Sequence, residues 1–226
     1  MASKDNEQEK NGIEKLNADL TAGAQKVANN KKIIFWAVGG LVVIAAFVLS
    51  YLFIYRQPHL NKAYEEYNNV EVTAMGNDSV AAAAYAKVAD KYSSDTPGKL
   101  AALDAAETYY NMGKYNEALK YLDKFSTSEP VLKANATILK GDCYVNLKKY
   151  DDALDCYKKA VSQADGNEQI APRALLKSAN IYDEQKKYAD ALACYEQIQK
   201  DFPTFQLGNG LTVDAYIARE KSRLGK

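Results

Sequence analysis

The sequence predicts an all-α chain in which one helix of membrane-crossing length precedes a right-handed solenoid of antiparallel helix pairs. Two observations predict it. The stretch IIFWAVGGLVVIAAFVLSYLFIY, Ile33–Tyr55, carries no charge. The phrase GKYNEALKYLDKF at Gly113 returns as KKYDDALDCYKKA at Lys148 and as KKYADALACYEQI at Lys186. An uninterrupted apolar run of that length marks a bilayer span, and a phrase recurring every few tens of residues marks a repeat array.

At 1.5 Å per residue the apolar run gives a helix of about 34 Å, enough for a bilayer core. Trp36 stands near one end, Tyr51 and Tyr55 near the other, where aromatic side chains favour the interface. A buried core helix would be amphipathic, and nothing relieves this run. A cleaved signal peptide fits poorly, because the apolar segment is too long and no A-x-A site follows. Lys26, Lys31 and Lys32 precede the run, whereas Arg56 and Lys62 follow it. That bias favours a cytoplasmic N-terminus and an extracytoplasmic C-terminal part, the periplasm in a bacterium. The expected division is a polar leader over 1–32, a transmembrane helix over 33–55, a linker over 56–60, a repeat domain over 61–207 and a capping segment over 208–226. In the leader, Ile13, Leu16, Leu20 and Val27 recur at helical spacing, so an amphipathic helix is expected there.

Aligning the three phrases on Ala118, Ala153 and Ala191 gives spacings of 35 and 38 residues. The tetratricopeptide period is close by, about 34, with the pattern W-x2-L-G-x2-Y, then A-x3-F, then P. Gly141 and Tyr144, then Ala153 and Tyr157, fill these places in the middle copy. Ala106, Tyr109, Ala118, Leu122 and Pro130 fill them in the copy before. Ala179, Tyr182, Ala191, Tyr195 and Pro203 fill them in the copy after. A degenerate fourth copy comes first, with Ala81 and Tyr85 in the A-x3-F places and a first helix over roughly Asn61–Met75. Small residues let two helices approach, aromatics fill the space between pairs, and each pair buries its apolar face only against its neighbours. The longer second spacing is expected in a loop, QADGNEQIAPRA, carrying Gly166 and Pro172. LTVDAYIAREKSRL, Leu211–Leu224, reads as a final helix that closes the stack.

The anchor, the stack and the final YIAR helix, from NNKKII through LKGDCYVNLKKYDDAL to DAYIAREK, together resemble one bacterial family. It is the membrane-anchored tetratricopeptide proteins related to the ancillary subunit of the SecYEG translocon, the YfgM-like proteins. The resemblance implies a periplasmic domain that contacts translocon-associated chaperones and helps exported or envelope proteins mature.

The first helix of each pair lines the groove of such a stack, so groove positions follow from the alignment. They are Glu107, Tyr110 and Asn111 in one pair and Asn135, Ile138, Asp142, Val145 and Asn146 in the next. Arg173, Leu176, Lys177, Asn180 and Asp183 follow in the last. Amides, acids and apolar groups in this mixture suit a peptide or protein segment, and equally suit an ordinary solvated helix face. A chaperone-tail clamp needs lysine and asparagine at set places; Asn180 matches one place, but Leu176 stands where the lysine should be.

Other chemistries find little support. Lys+Arg and Asp+Glu each number 29, and after Arg56 there are 22 basic and 24 acidic residues, so no basic stripe invites nucleic acid. His59 is the one histidine, and Cys143, Cys156 and Cys194 are too few and too far apart for a disulfide framework. No HExxH and no glycine-rich phosphate loop after a strand occurs. No catalytic residue, cofactor or metal is expected. The expected function is a non-enzymatic scaffold, anchored in the inner membrane, that binds protein partners near the Sec translocon and periplasmic chaperones. A cytoplasm-facing adaptor or organelle import receptor, and a self-associating assembly protein, remain open alternatives.

Overall fold

The computed structural model describes residues 15, 17–25, 30–207 and 210–225. They fall into two compact units divided between His59 and Leu60.

In the first unit, residues 17–25 are helical with Leu20 exposed, while Ile13, Leu16 and Val27 lie outside the described residues. The apolar run forms α1 (Lys31–Ser50) and a π-helical turn over Tyr51–Arg56. Every residue from Phe35 to His59 is exposed within the chain. Among the described residues it is the one helix long and apolar enough to cross a membrane or to serve as an export signal. Tyr51 and Tyr55 stack with ring centroids 5.7 Å apart, one turn on from each other. Residues 56–60, expected as a linker, are helical, because α2 (Gln57–Ala74) begins directly after the π turn.

The second unit is a succession of helix pairs. After α2 come α3 (Asp78–Lys91), α4 (Thr96–Asn111), α5 (Tyr115–Leu122), α6 (Pro130–Asn146), α7 (Tyr150–Gln163), α8 (Ile170–Glu184), α9 (Tyr188–Asp201) and α10 (Val213–Arg223). Each helix from α3 to α10 packs against the next, and α6 also touches α4 and α8. The core lies in two clusters that meet at α6. Ala136 and Cys143 join the cluster of the first pairs, whereas Ala134 and Ile138 join that of the later pairs. Ala118, Ala153 and Ala191, on which the copies align, are wholly buried, and Tyr157 and Tyr195 fill the places between pairs at 2% and 0% exposure. Close approach is literal at Gly141, where an added Cβ would lie 2.5 Å from the Tyr157 ring.

The opening of each repeated phrase is a helix stop. Gly113, Lys148 and Lys186 all have left-handed φ, +73°, +60° and +60°. In each turn two backbone bonds close a Schellman motif; in the middle copy Lys148 N–H donates to Val145 O at 2.9 Å and Lys149 N–H to Tyr144 O at 2.9 Å. Glycine adopts this conformation freely, while a lysine pays for its Cβ there. Lys148→Gly and Lys186→Gly are therefore each expected to raise stability, by up to about 1 kcal/mol after the entropy of the freer unfolded chain is subtracted. Urea midpoints of the single variants check this, and a lower midpoint in both would contradict it.

Pro203 follows the end of α9 as the repeat pattern requires, whereas two other prolines act at helix starts. Pro130 opens α6 instead of closing the preceding pair, at the first position, where a missing N–H costs nothing. Pro172 lies in the first turn of α8 rather than in the loop before it, and the loop is instead held by Asn167, whose Oδ1 accepts from the N–H of Gln169 and Ile170, both at 3.0 Å. The degenerate first pair uses long polar side chains. Tyr67 Oη donates to Asp104 Oδ2 at 2.6 Å, and Lys91 Nζ donates to Glu66 Oε1 at 2.6 Å.

α10 docks on the preceding pair through charge as well as packing. Tyr216 lies over Tyr195 with centroids 5.0 Å apart. Glu220, wholly buried, accepts from Arg219 Nε at 2.6 Å and from Arg223 Nη1 at 3.2 Å, and both arginines also bond Asp183 of α8. Arg219 covers the Tyr216 ring and Arg223 the Tyr188 ring.

Candidate partner-binding groove

Successive first helices bring six of the expected groove residues together. Tyr110 of α4, Asp142, Val145 and Asn146 of α6, and Lys177 and Asn180 of α8 line a cavity of about 220 Å³. Alignment alone had not pointed to Tyr157 of α7, or to Ile181 and Glu184 of α8, which also line it. The cavity floor is a fixed network. Tyr157 Oη donates to Asp142 Oδ1 at 2.6 Å, and Lys177 Nζ reaches Asp142 at 2.9 Å. Asn146 Nδ2 donates to the Asp142 carbonyl at 2.9 Å. Burial, followed by the bond to the Asp142 carboxylate, pushes the Tyr157 hydroxyl well above the ordinary phenol range, so it stays a donor.

The other expected residues lie elsewhere. Glu107 and Asn111 line a separate cavity with Tyr67, Glu71, Asp78 and Asp104, an acidic site toward the first pair. Burial raises the Asp104 and Glu107 carboxyl pKa values, and the Asp104 charge adds to the rise at Glu107. Ile138 is 4% exposed and belongs to the core, and Leu176 packs against that core. Arg173 bonds the Asn135 side chain, a tie from α8 to α6. Asp183 holds the arginines of α10 and so belongs to the closing contact rather than to an open surface.

Tyr157 and Tyr195 occupy one place in successive repeats but differ in their partners. The Tyr195 hydroxyl is buried and has no hydrogen-bond partner among the described residues. Burial pushes its pKa up to about 12. A buried hydroxyl without a partner costs about 1–3 kcal/mol, whereas a bond to a carboxylate stabilises by about 1.5–3 kcal/mol. Opposite signs are therefore expected: Tyr195→Phe stabilises by about 1 kcal/mol and Tyr157→Phe destabilises by about 2 kcal/mol. Thermal unfolding of the two variants side by side checks the contrast, which equal shifts of the same sign would refute.

The cysteines are free thiols, Cys143 buried and Cys156 and Cys194 half-buried. Burial pushes Cys143 up to about 12 and Cys194 up to about 11, far from the thiolate form a reactive cysteine needs. Among the described residues no group of three or more histidine, cysteine, aspartate or glutamate side chains is placed to hold a metal ion.

Residues 132–200 match the tetratricopeptide repeat family, over the last two pairs. The stack is a tetratricopeptide-repeat array. Residues 75–160 match the family of anaphase-promoting complex, cyclosome, subunit 3. Two crystal structures of MamA share the array's fold. One is 22% identical with a TM-score of 0.53, over 68% of this chain and 82% of that one. The other is 20% identical with a TM-score of 0.56, over 74% and 82%. No curated protein matches the sequence. Tetratricopeptide arrays are commonly scaffolds for protein–protein interaction and usually not enzymes, and the repeats here suggest protein partners.

Proposed function

We propose that this tetratricopeptide scaffold is anchored in a bacterial inner membrane by α1, with its array on the periplasmic side, and holds an extended segment of a protein partner. Its place is in protein export or envelope-protein biogenesis, beside the Sec translocon and periplasmic chaperones. The cavity formed by Tyr110, Asn146, Lys177 and Asn180 carries this reading. Its floor is fixed by Asp142, Tyr157 and Lys177, which spend their hydrogen bonds on one another. At the rim, the Asn180 amide and the Asn146 Oδ1, whose Nδ2 is held by the Asp142 carbonyl, suit a peptide backbone, and Tyr110 gives an aromatic surface for a side chain. Placement in the export pathway rests on the likeness of the whole plan, anchor through final helix, to the translocon-associated family. The membrane orientation rests on Lys26, Lys31 and Lys32 at the N-terminal side of the apolar run.

Photo-crosslinking amino acids placed at Tyr110, Asn146 and Asn180 of the full chain, activated in intact membranes, test the proposal. Translocon or periplasmic chaperone subunits are the expected adducts, identified by mass spectrometry. Adducts with cytoplasmic proteins alone would overturn it in favour of a cytoplasm-facing adaptor. A cysteine introduced in the 165–169 loop of a variant lacking native cysteines should react with an impermeant reagent in spheroplasts. Protection of that cysteine until lysis would reverse the orientation.

A further inference from the structure

A second cavity, of about 380 Å³, lies away from the groove, between the α5–α6 loop and one face each of α6 and α7. Lys133, Thr137 and Lys140 come from α6 at i, i+4 and i+7, and Cys156, Lys159 and Gln163 from α7 at i, i+3 and i+7, so each set shares a helix face. The two faces are joined where the Thr137 hydroxyl donates to Gln163 Oε1 at 2.7 Å. That bond leaves the Gln163 amide NH₂ as a donor.

Charge is the distinguishing property of this cavity. Three lysines line it against one carboxylate, Asp123, which is held by Lys140. The chain after Arg56 is slightly acidic, with 22 basic and 24 acidic residues, so a cavity with two positive charges in excess runs against its surroundings. Among the described residues Lys133 and Lys159 have no carboxylate partner for their side chains. The loop contributes the Ser126 and Thr127 hydroxyls, and Leu122 and Phe125 line the cavity as apolar surface. Unpaired ammonium groups, hydroxyl donors and an adjoining aromatic ring suit a carboxylate attached to something apolar. Its volume falls within the range of small binding pockets.

We infer that this cavity docks an acidic segment of a protein partner, with a glutamate or aspartate carboxylate between Lys133 and Lys159 and an apolar neighbour on Phe125. The site is separate from the groove, so it would let the array hold a partner at two places. Two linked contacts of modest strength give higher affinity than either alone.

Isothermal titration of the full chain in detergent micelles tests this with a capped hexapeptide of alternating glutamate and leucine. The glutamate peptide should bind, and the same peptide with glutamine in place of glutamate should not. Lys133→Ala combined with Lys159→Ala should weaken binding at least about tenfold. Lys133→Arg combined with Lys159→Arg should retain binding, and Asn146→Ala combined with Asn180→Ala in the groove should leave it unchanged. Affinity should fall as sodium chloride is added. Equal affinity for the glutamine peptide, undiminished binding by the double alanine variant, or loss of binding in the groove variant would overturn the inference. So would inorganic phosphate alone binding as tightly as the glutamate peptide, which would mark a site for free anions. Failure of groove crosslinking would leave these outcomes untouched, so the two proposals stand or fall separately.

Discussion

Gly98→Ala is expected to destabilise the array by at least about 3 kcal/mol, the upper range for overpacking, because the obstacle is backbone. A Cβ on Gly98 would lie 1.9 Å from the carbonyl oxygen of Tyr92 and 2.3 Å from its carbonyl carbon. That carbonyl is itself fixed, since it accepts the Asp95 N–H at 2.9 Å in the turn between α3 and α4. Relief requires the turn to move, and with it the contact between α3 and α4 on which the first pair depends. Gly141→Ala provides the contrast. There the obstacle is the Tyr157 ring, 2.5 Å from the added Cβ, and a side chain can yield more than a backbone can. Its expected cost is smaller, about 1–3 kcal/mol. Urea unfolding of both variants by circular dichroism measures the order, and an unchanged midpoint for Gly98→Ala would show that the turn is softer than its hydrogen bonds imply.

The second large effect is expected at the closing helix. Removing Arg219 and Arg223 together, as alanines, takes the ion-pair partners from Glu220, wholly buried in the parent, and from Asp183, mostly buried there. Breaking a buried ion pair from one side costs about 3–5 kcal/mol, because the remaining charge has neither water nor a partner. Replacing both arginines by lysine, which keeps the charge, should cost less than replacing both by alanine, and calorimetry of the two double variants checks this. Equal losses would point to lost packing on Tyr188 and Tyr216 rather than to stranded charge.

The array was legible because its construction rule is periodic. Ala118, Ala153 and Ala191 recur in register, and each marks the same buried contact. The groove was legible only in outline, since a repeat alignment assigns faces but not partners. Tyr110, Asp142, Asn146, Lys177 and Asn180 converge as the alignment implied. Asp183 has the same rank in its repeat, yet it is occupied by α10, a helix with no counterpart in the copies from which its position was projected. Ile138 was assigned one face too far, because α6 packs on both sides and shares its residues between the two core clusters. Tyr157 carries a packing letter in the repeat pattern, and nothing in that letter announces a hydroxyl bonded to the groove aspartate. The lysine cavity was invisible for a similar reason. Lys133, Lys140 and Lys159 are scattered among acids along the chain and come together only when α6 and α7 pair.

The contact of α10 with Asp183 also bears on how such an array can change length over evolutionary time. Duplication of an internal helix pair would present the duplicate's neighbours with familiar surfaces, since each pair meets only those beside it. Addition after α9 is different, because the face a new pair would need is held by α10 through Tyr216 and the buried Glu220. Descendants of this chain could therefore lengthen from within, but at the C-terminal end only by giving up an ion cluster without leaving its charges stranded.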